Sequence, residues 1–393
     1  MRLIHRREFR RLIAGYALST AGDAGVRMLL AWVALEQRGV AAMSGVFVGS
    51  AAACLLGPLV GRALDRHPVR NILSAACLAR AVLLLALALL TPQTVAAHAA
   101  VFAFLSALFS LAHGPAVSKT IPSMFTPEKM HEANASSGVA FLAASAAGPA
   151  LGGAVLARHG LGASCAIFAA VFLAATPLAH FATLPQAPDQ PAEGRSPDIV
   201  DSFSALLRMP LVLTLAALGI AVNFCLAPLN VALAPHLLSL GSGPQGFGGA
   251  MAVLVVGAII GNLAAGSRLM ETARWEDSIL AGLGAVACGL VAVGSSTSPL
   301  QASAAVLIVG AALPFIQVPV ATRLQSEVPA AQAGRVFSTL NSATLLAAPL
   351  AAAGVGLLLK RLPPAPVFFG AAAACALLCA AWGLGRRERP NAG

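Results

Sequence analysis

Apolar residues in this chain come in runs long enough to cross a lipid bilayer, and the charged residues are confined to the gaps between them. Asp, Glu, Lys and Arg are absent from residues 39–61, 81–118, 133–157, 159–188, 209–267, 278–322, 336–359 and 362–385. A bilayer-spanning helix needs about 20 apolar residues, so the runs at 209–267 and 278–322 each hold two spans. The pattern predicts spans at 12–35, 43–63, 72–90, 96–117, 136–157 and 161–181. After a break it predicts six more, at 210–237, 246–266, 278–297, 299–321, 337–359 and 365–385. The predicted fold class is therefore an all-α polytopic membrane protein with twelve transmembrane helices in two six-helix halves.

Composition excludes the alternatives. Of 393 residues 58% are hydrophobic and only 10% charged, with mean hydropathy +0.82, whereas soluble domains carry about 25% charged residues. Disordered chains are polar and charge-rich, and an outer-membrane barrel would read as alternating segments of about ten residues. The net charge of +10 is not a nucleic-acid signature here, because it follows the loops. With the N-terminus on the inner side, 19 Lys and Arg fall on inner loops and tails and four on outer ones, while Arg27 and Arg80 lie within spans. That is the positive-inside bias, so we expect an inner (plasma) membrane protein with both termini cytoplasmic. The basic opening MRLIHRREFR precedes an apolar stretch too long for a signal peptide, and reads as a retained first helix. Trp32 and Trp382 fall near span ends, where interfacial anchors belong. The seven cysteines lie in apolar stretches without metal-ligand spacing; we expect no metal and no cofactor.

Residues 183–208, TLPQAPDQPAEGRSPDIVDSFSALLR, carry four prolines and four acids, which is linker composition. The run IVDSFSALLR has the makings of a short interfacial helix. We therefore divide the chain into a six-helix bundle at 1–182, a cytoplasmic linker at 183–209 and a second bundle at 210–393. The halves read as a duplication. Gly57 and Gly61 face Gly257 and Gly261, Lys119 faces Arg323, Pro127 faces Pro329 and Pro149 faces Pro349, all at an offset close to 200. Internally duplicated halves are a common build of secondary transporters, with the substrate site near the midplane between them.

Two motifs name a family. The loop after the second span reads GRALDRHPVRNIL, with Gly61, Asp65, Arg66 and Arg70. It resembles the loop between spans 2 and 3 of the major facilitator superfamily, although Pro68 replaces a usual glycine and Val69 a usual basic residue. The resemblance implies a cytoplasmic gate in which Asp65 caps a helix of the other half, near Val336. The plainer reading is that any cytoplasmic loop is basic. Span 5 reads ASAAGPALGG, with Gly148, Pro149, Gly152 and Gly153. It resembles the superfamily's antiporter-type motif, with Ala144 in place of its first glycine, and that resemblance implies efflux. The plainer reading is small-residue helix packing. With FRRLIAGYALSTAGD at the start, the stretches around both motifs resemble the branch containing bacterial macrolide-efflux and enterobactin-exporter proteins. In the second half the loop GSRLMETARWED lacks the acidic gate position, and span 4 lacks the arginine motif of many drug:proton antiporters.

Charges inside spans are costly, about 2.5–3.5 kcal/mol each on insertion scales, and usually face a cavity or a partner. Asp23 and Arg27 are four residues apart on one face of span 1, and Asp23 lies roughly 16 Å into the span at 1.5 Å per residue. Arg80 reaches a similar depth in span 3. Either Asp23 is a proton or cation site tuned by Arg27 and Arg80, or the set is a permanent ion pair that makes insertion tolerable. His113 in span 4 titrates near neutral pH in water and is either a second proton site or a hydrogen-bonded packing residue. Span 7 is polar and breakable, with Asn223, Asn230, Pro228 and Pro235, and span 10 adds Pro314, Gln317 and Pro319. The resemblance places spans 1, 4, 7 and 10 around the central cavity. With Asp23 its one acid, that cavity suits neutral, amphipathic or anionic molecules.

The sequence thus predicts a non-enzymatic, monomeric secondary transporter. It would use protons as coupling ion, exporting a small amphipathic molecule such as a drug, siderophore or metabolite by alternating access. No ATP or phosphate-binding motif is present in the sequence, and no nucleic-acid partner is expected. A facilitator, importer or lipid translocator of the same fold is the alternative, and a non-transporting membrane receptor a more distant one.

Overall fold

The computed structural model describes residues 7–180, 209–265, 274–328 and 347–387. Among them there is no β-strand. The helices of the first half are α1 (Arg7–Arg38), α2 (Val40–Ala53), α3 (Gly57–Arg66), α4 (Val69–Ala88), α5 (Pro92–Ala97), α6 (Ala99–Ser110), α7 (His113–Met124) and α8 (Pro127–His180). Those of the second are α9 (Pro210–Val231), α10 (Leu233–Ser239), α11 (Pro244–Ala265), α12 (Trp275–Gly294), α13 (Pro299–Ala312), α14 (Pro314–Glu327), α15 (Ala347–Leu358) and α16 (Pro364–Arg387). Eight of the described helical stretches are long and apolar enough to cross a membrane unaided. The count reaches twelve once three things are recognised. Helix α1 carries charges within its span, α8 contains two spans, and spans 2 and 11 are short in the described residues, at Val40–Leu56 and Ala347–Leu358. The segment 183–208, with its expected interfacial helix, lies outside the described residues, as does the start of span 11.

Glycine and proline decide where these helices turn. Only Gly39 separates α1 from α2, at φ 77°, and within α8 the corner between spans 5 and 6 is Gly160, at φ 71°. Both lie in the left-handed region, which a side chain strongly disfavours. Proline opens α5, α9, α13 and α14, where its missing N–H costs nothing. Further along a span, proline leaves the carbonyl four residues back without its donor and clashes with it. Four spans break within the four residues before such a proline. Pro58 sits after the 3-10 turn Cys54–Leu56, Pro115 after the break at Leu111–Ala112, Pro235 after Ala232 and Pro314 after Leu313. Pro115 and Pro314 lie 199 residues apart, so the two repeats break spans 4 and 10 at the same place. Pro228 sits inside α9 without interrupting it.

The described chain forms two compact units. One comprises residues up to Glu193 together with Gly243–Ala252, and the other Gly194–Ser242 with Val253 onward. In the first, α1 lies along α8, α4 packs on the same long helix, and α2 pairs with α6. One end of this bundle is sealed by Phe9, Leu12, Leu64, Leu73, Ile121 and Phe125, with the Phe9 and Phe125 rings edge to face at 4.9 Å. In the second, α12 packs against α13 and α16. Cys375 and Cys379 donate to the carbonyls of Leu283 and Leu280 across that contact.

The two tryptophans expected as anchors differ. Trp382 is half-buried five residues before the end of α16, donating to the Glu276 carbonyl and meeting the Trp275 ring edge to face, which in turn carries the Arg323 guanidinium on its face at 4.9 Å. Trp32 is buried, its ring 6.1 Å from that of Phe247. Both lie more than a turn inside their helix ends, at Arg38 and Arg387, so what separates them is burial.

Candidate functional site

The first half gathers its charge on one stripe of α1. Ser19, Asp23 and Arg27 are spaced four apart, so one helical turn, about 6 Å, separates each from the next along the same face. Arg27 Nη1 lies 3.5 Å from Asp23 Oδ2. The pair is loose and unequally covered, with side-chain exposures of 44% for Arg27 and 16% for Asp23. Asp23 and Arg27 line a small cleft between α1, α2 and α6 whose other polar walls are Ser50 and Ser106.

At the other end of the stripe stands Arg80 of α4, 1% exposed and the largest fully buried side chain among the described residues. Its Nη2 donates to Ser19 Oγ at 2.6 Å and lies 3.3 Å from both ring nitrogens of His113. Its Nε donates to the Ala76 carbonyl at 3.4 Å, and its guanidinium stacks on the ring of Phe172 at 4.3 Å, a cation–π contact. Nη1 has no hydrogen-bond partner among the described residues. A guanidinium has five donors and no acceptor, so His113 can hold it only through a ring nitrogen that carries no hydrogen. The second contact of that ring is the Cys77 thiol, 3.5 Å from Nε2. His113 in this arrangement is an acceptor for a buried cation.

Small residues let these helices come close enough. Added Cβ atoms at Gly22 and Gly25 would run into the rings of Phe172 and Phe168, and one at Gly25 would also sit 2.9 Å from the Gly148 carbonyl. From the other side, Gly148 faces the backbone of Ala21 and Gly152 that of Gly25. The Gly-Pro-containing motif of span 5 is thus seated on the Ala21–Gly25 side of α1, away from the face that carries Asp23. Its last glycine, Gly153, faces the backbone of Pro244, and Gly248 faces that of Pro149, contacts that fall within the same compact unit.

A family profile described as the Major Facilitator Superfamily matches residues 12–352. The chain belongs to this superfamily. No curated protein matches it by sequence. Among solved structures it is similar to the POT family transporter PepTSo, at 14% identity with a TM-score of 0.74, covering 97% of this chain and 98% of that one. It is also similar to the nucleoside transporter NupG, at 13% and 0.72, covering 96% and 98%. A bacterial homologue of the iron transporter ferroportin, in an inward-facing state, is 18% identical with a TM-score of 0.71, covering 96% and 98%. At these identities the likeness establishes the fold, that of a multi-pass membrane transporter.

The remaining candidates are distributed differently. In the superfamily's loop motif, α3 ends at Arg66, His67 is extended at φ −128° and ψ 152° as the residue before proline requires, and Pro68 is the N-cap of α4. Arg66 and Arg70 are exposed, and the space around Gly61 is open. The side chain of Asp65 and the region near Val336 that it is expected to cap lie outside the described residues. In the second unit Asn223 is exposed and donates to the Gly219 carbonyl of its own helix at 2.9 Å. Asn230 and Gln317 are exposed. The structure therefore assembles Asp23, Arg27, Arg80 and His113, and leaves Asn223, Asn230 and Gln317 in a unit of their own.

Sequence reasoning missed Ser19, Cys77 and Phe172, which complete the Arg80 pocket. Ser19 was open to it as the residue one turn before Asp23; the Phe172 contact across helices had no local signal. It also missed His236 of α10, buried with Nε2 2.9 Å from Ser296 Oγ and its ring edge to face with Phe368 at 5.7 Å.

Proposed function

We propose that this protein is a proton-coupled exporter of a small amphipathic molecule, working by alternating access as a monomer in the inner membrane with both termini cytoplasmic. The observation that carries the reading is the placement of Asp23. It is a partly exposed carboxylate at membrane depth, loosely held by Arg27 and lining a cleft, with the antiporter-type motif packed against its helix. Charge at membrane depth is expensive in a bilayer and is usually kept where it carries protons, ions or substrate. The efflux direction is supported by the resemblance of Gly148, Pro149, Gly152 and Gly153 to the antiporter-type pattern and by the likeness to macrolide and siderophore exporters. The inward position of the termini is supported by the 19-to-4 distribution of Lys and Arg. The guanidinium contact on His113 supports Asp23, rather than His113, as the proton carrier.

The test uses inverted membrane vesicles with an imposed acid-inside pH gradient. Drugs, siderophores and metabolites are added in turn and collapse of the gradient is followed. Compound-dependent proton release that Asp23→Asn abolishes is the expected result. Release that survives the substitution removes Asp23 from the coupling step. Silence across the panel, in protein shown to be folded, replaces the reading with a facilitator, importer or lipid translocator of the same fold.

A further inference from the structure

We propose that Arg80 is an anion-binding group: the carried molecule presents a carboxylate that takes the place of the His113 ring on the guanidinium. The inference rests on the reading of this protein as a transporter of a small amphipathic molecule, and it narrows that molecule to an organic acid.

The charges gathered around α1 do not balance. Asp23 is answered by Arg27 at 3.5 Å, which leaves the charge of Arg80 in surplus. Arg80 is 1% exposed and belongs to no ion pair among the described residues. Everything that holds it is neutral. Ser19 Oγ and the Ala76 carbonyl accept from it, the Phe172 ring lies against it, and His113 accepts through a ring nitrogen without a hydrogen. Nη1, which carries two N–H groups, has no acceptor among the described residues. A buried cation held only by neutral groups is costly, and at membrane depth such a charge usually serves a substrate, an ion or a partner.

His113 is the acceptor that a ligand can replace. It is the first residue of α7, just past the break at Leu111–Ala112, so it stands on a separate piece of span 4 from Ser106. A bond between two ions is stronger than one between an ion and a neutral ring. A carboxylate also offers the guanidinium fork two oxygens, where the neutral imidazole offers one lone pair. A carboxylate therefore displaces the ring and supplies Nη1 as well, whereas an uncharged molecule has no such advantage. The N-terminus of α7 opens at His113 and adds its partial positive charge at the same point. Both walls of the cleft lead to this group. Ser19 is one turn from Asp23 on α1, His113 is two turns from Ser106 along span 4, and Asp23 and Ser106 both line the cleft. Asp23, paired with Arg27, is the one acid on its walls.

The test is equilibrium binding to the full-length protein in phosphatidylcholine nanodiscs, corrected for empty discs, with three probes of similar shape: naphthylacetate, naphthylacetamide and naphthylethylamine. The parent is expected to bind the acid roughly ten- to a hundredfold more tightly than the amide or the amine, the range of one hydrogen bond to a charged group. Arg80→Met should erase that preference and Arg80→Lys should keep part of it. His113→Leu supplies a readout that a purely structural arginine would not move. With the neutral acceptor gone, this variant should bind the acid more tightly than the parent does, and the acid should raise its unfolding temperature by more. Those two measurements decide the matter if Arg80→Met fails to fold. Failure of the parent to bind the acid, equal affinity for acid and amide, tighter binding of the amine, or a preference for the acid that survives in folded Arg80→Met each overturns the proposal. So does a preference that disappears when phosphatidylglycerol replaces phosphatidylcholine, since that gives the site to a lipid headgroup. Arg80-dependent binding of the acid in a protein that releases no protons to any compound keeps this inference and sinks the exporter reading. Proton release evoked by compounds of every charge, and unaffected by Arg80→Met, does the reverse.

Discussion

Arg80→Met should leave the folded protein as stable as its parent or more so, while His113→Leu should destabilise it. Methionine fills much of the volume of the arginine stem and lies well against Phe172 and Ala76, and the substitution removes a cation that no carboxylate offsets. Replacing buried charge with apolar side chains of similar size is neutral or stabilising by about 1–4 kcal/mol in comparable cases. Ser19 keeps a fallback, since a helical serine can donate to the carbonyl four residues back. His113→Leu does the opposite. It keeps the cation and deletes one of its acceptors, and a hydrogen bond to a charged group is worth about 1.5–3 kcal/mol. The double substitution should therefore be more stable than His113→Leu alone, with Arg80→Met gaining more in that background than in the parent, whereas an Arg80 kept for the fold would cost stability in both. Thermal unfolding of the four proteins in one detergent measures the cycle. A large loss of stability in Arg80→Met would show that the guanidinium is kept for the fold.

The second large effect is expected at Gly25. Its Cβ position is occupied by the Phe168 ring on one side and lies 2.9 Å from the Gly148 carbonyl on the other. One of these neighbours is backbone and cannot step aside, so Gly25→Leu forces α1 and α8 apart along their main contact. Overpacking of this kind costs about 1–3 kcal/mol, and here the separation also displaces Asp23, two residues earlier. We expect Gly25→Leu to lower the unfolding temperature by several degrees and to abolish compound-evoked proton release even where folded protein is recovered. Gly61→Ala is the control. Nothing lies within 4 Å of its Cβ position, and alanine is the better helix former by up to about 1 kcal/mol, so its unfolding temperature should hold or rise. Equal effects at the two sites would show that glycine acts here through helix propensity and not through close approach.

Much of this was legible in the order of residues. Charge-free runs gave the spans because a bilayer leaves helices few other ways to satisfy their backbone, and Asp23, Arg27, Arg80 and His113 stood out because charge is rare at that depth. Proline content marked span 7 as breakable, and the break falls at Ala232, ahead of Pro235. Pro228 lies in the same helix and does not interrupt it. Interhelical partners were less legible. Nothing local distinguishes Phe172 from the other apolar residues of span 6, and Ser19 reads as an ordinary small helix residue until α4 is laid against it. The burial of Trp32 was not legible either, since it depends on the Phe247 ring, far along the chain. His236 escaped notice because a histidine near a span end is unremarkable in sequence; its burial depends on Ser296, sixty residues away.

On the topology we propose, with both termini cytoplasmic, the corners at Gly39 and Gly160 have a consequence for how this protein can be seen from outside. On the face of the first half opposite Arg7, the chain turns through single glycines at these two points and through Leu89–Thr91 between α4 and α5. Turns this tight leave helix ends and little else above the lipid. An antibody raised against whole cells would find almost no continuous epitope there, and a binder for that face would have to recognise the arrangement of helix ends, which an alternating transporter rearranges in each cycle. Such a binder would report conformation rather than abundance.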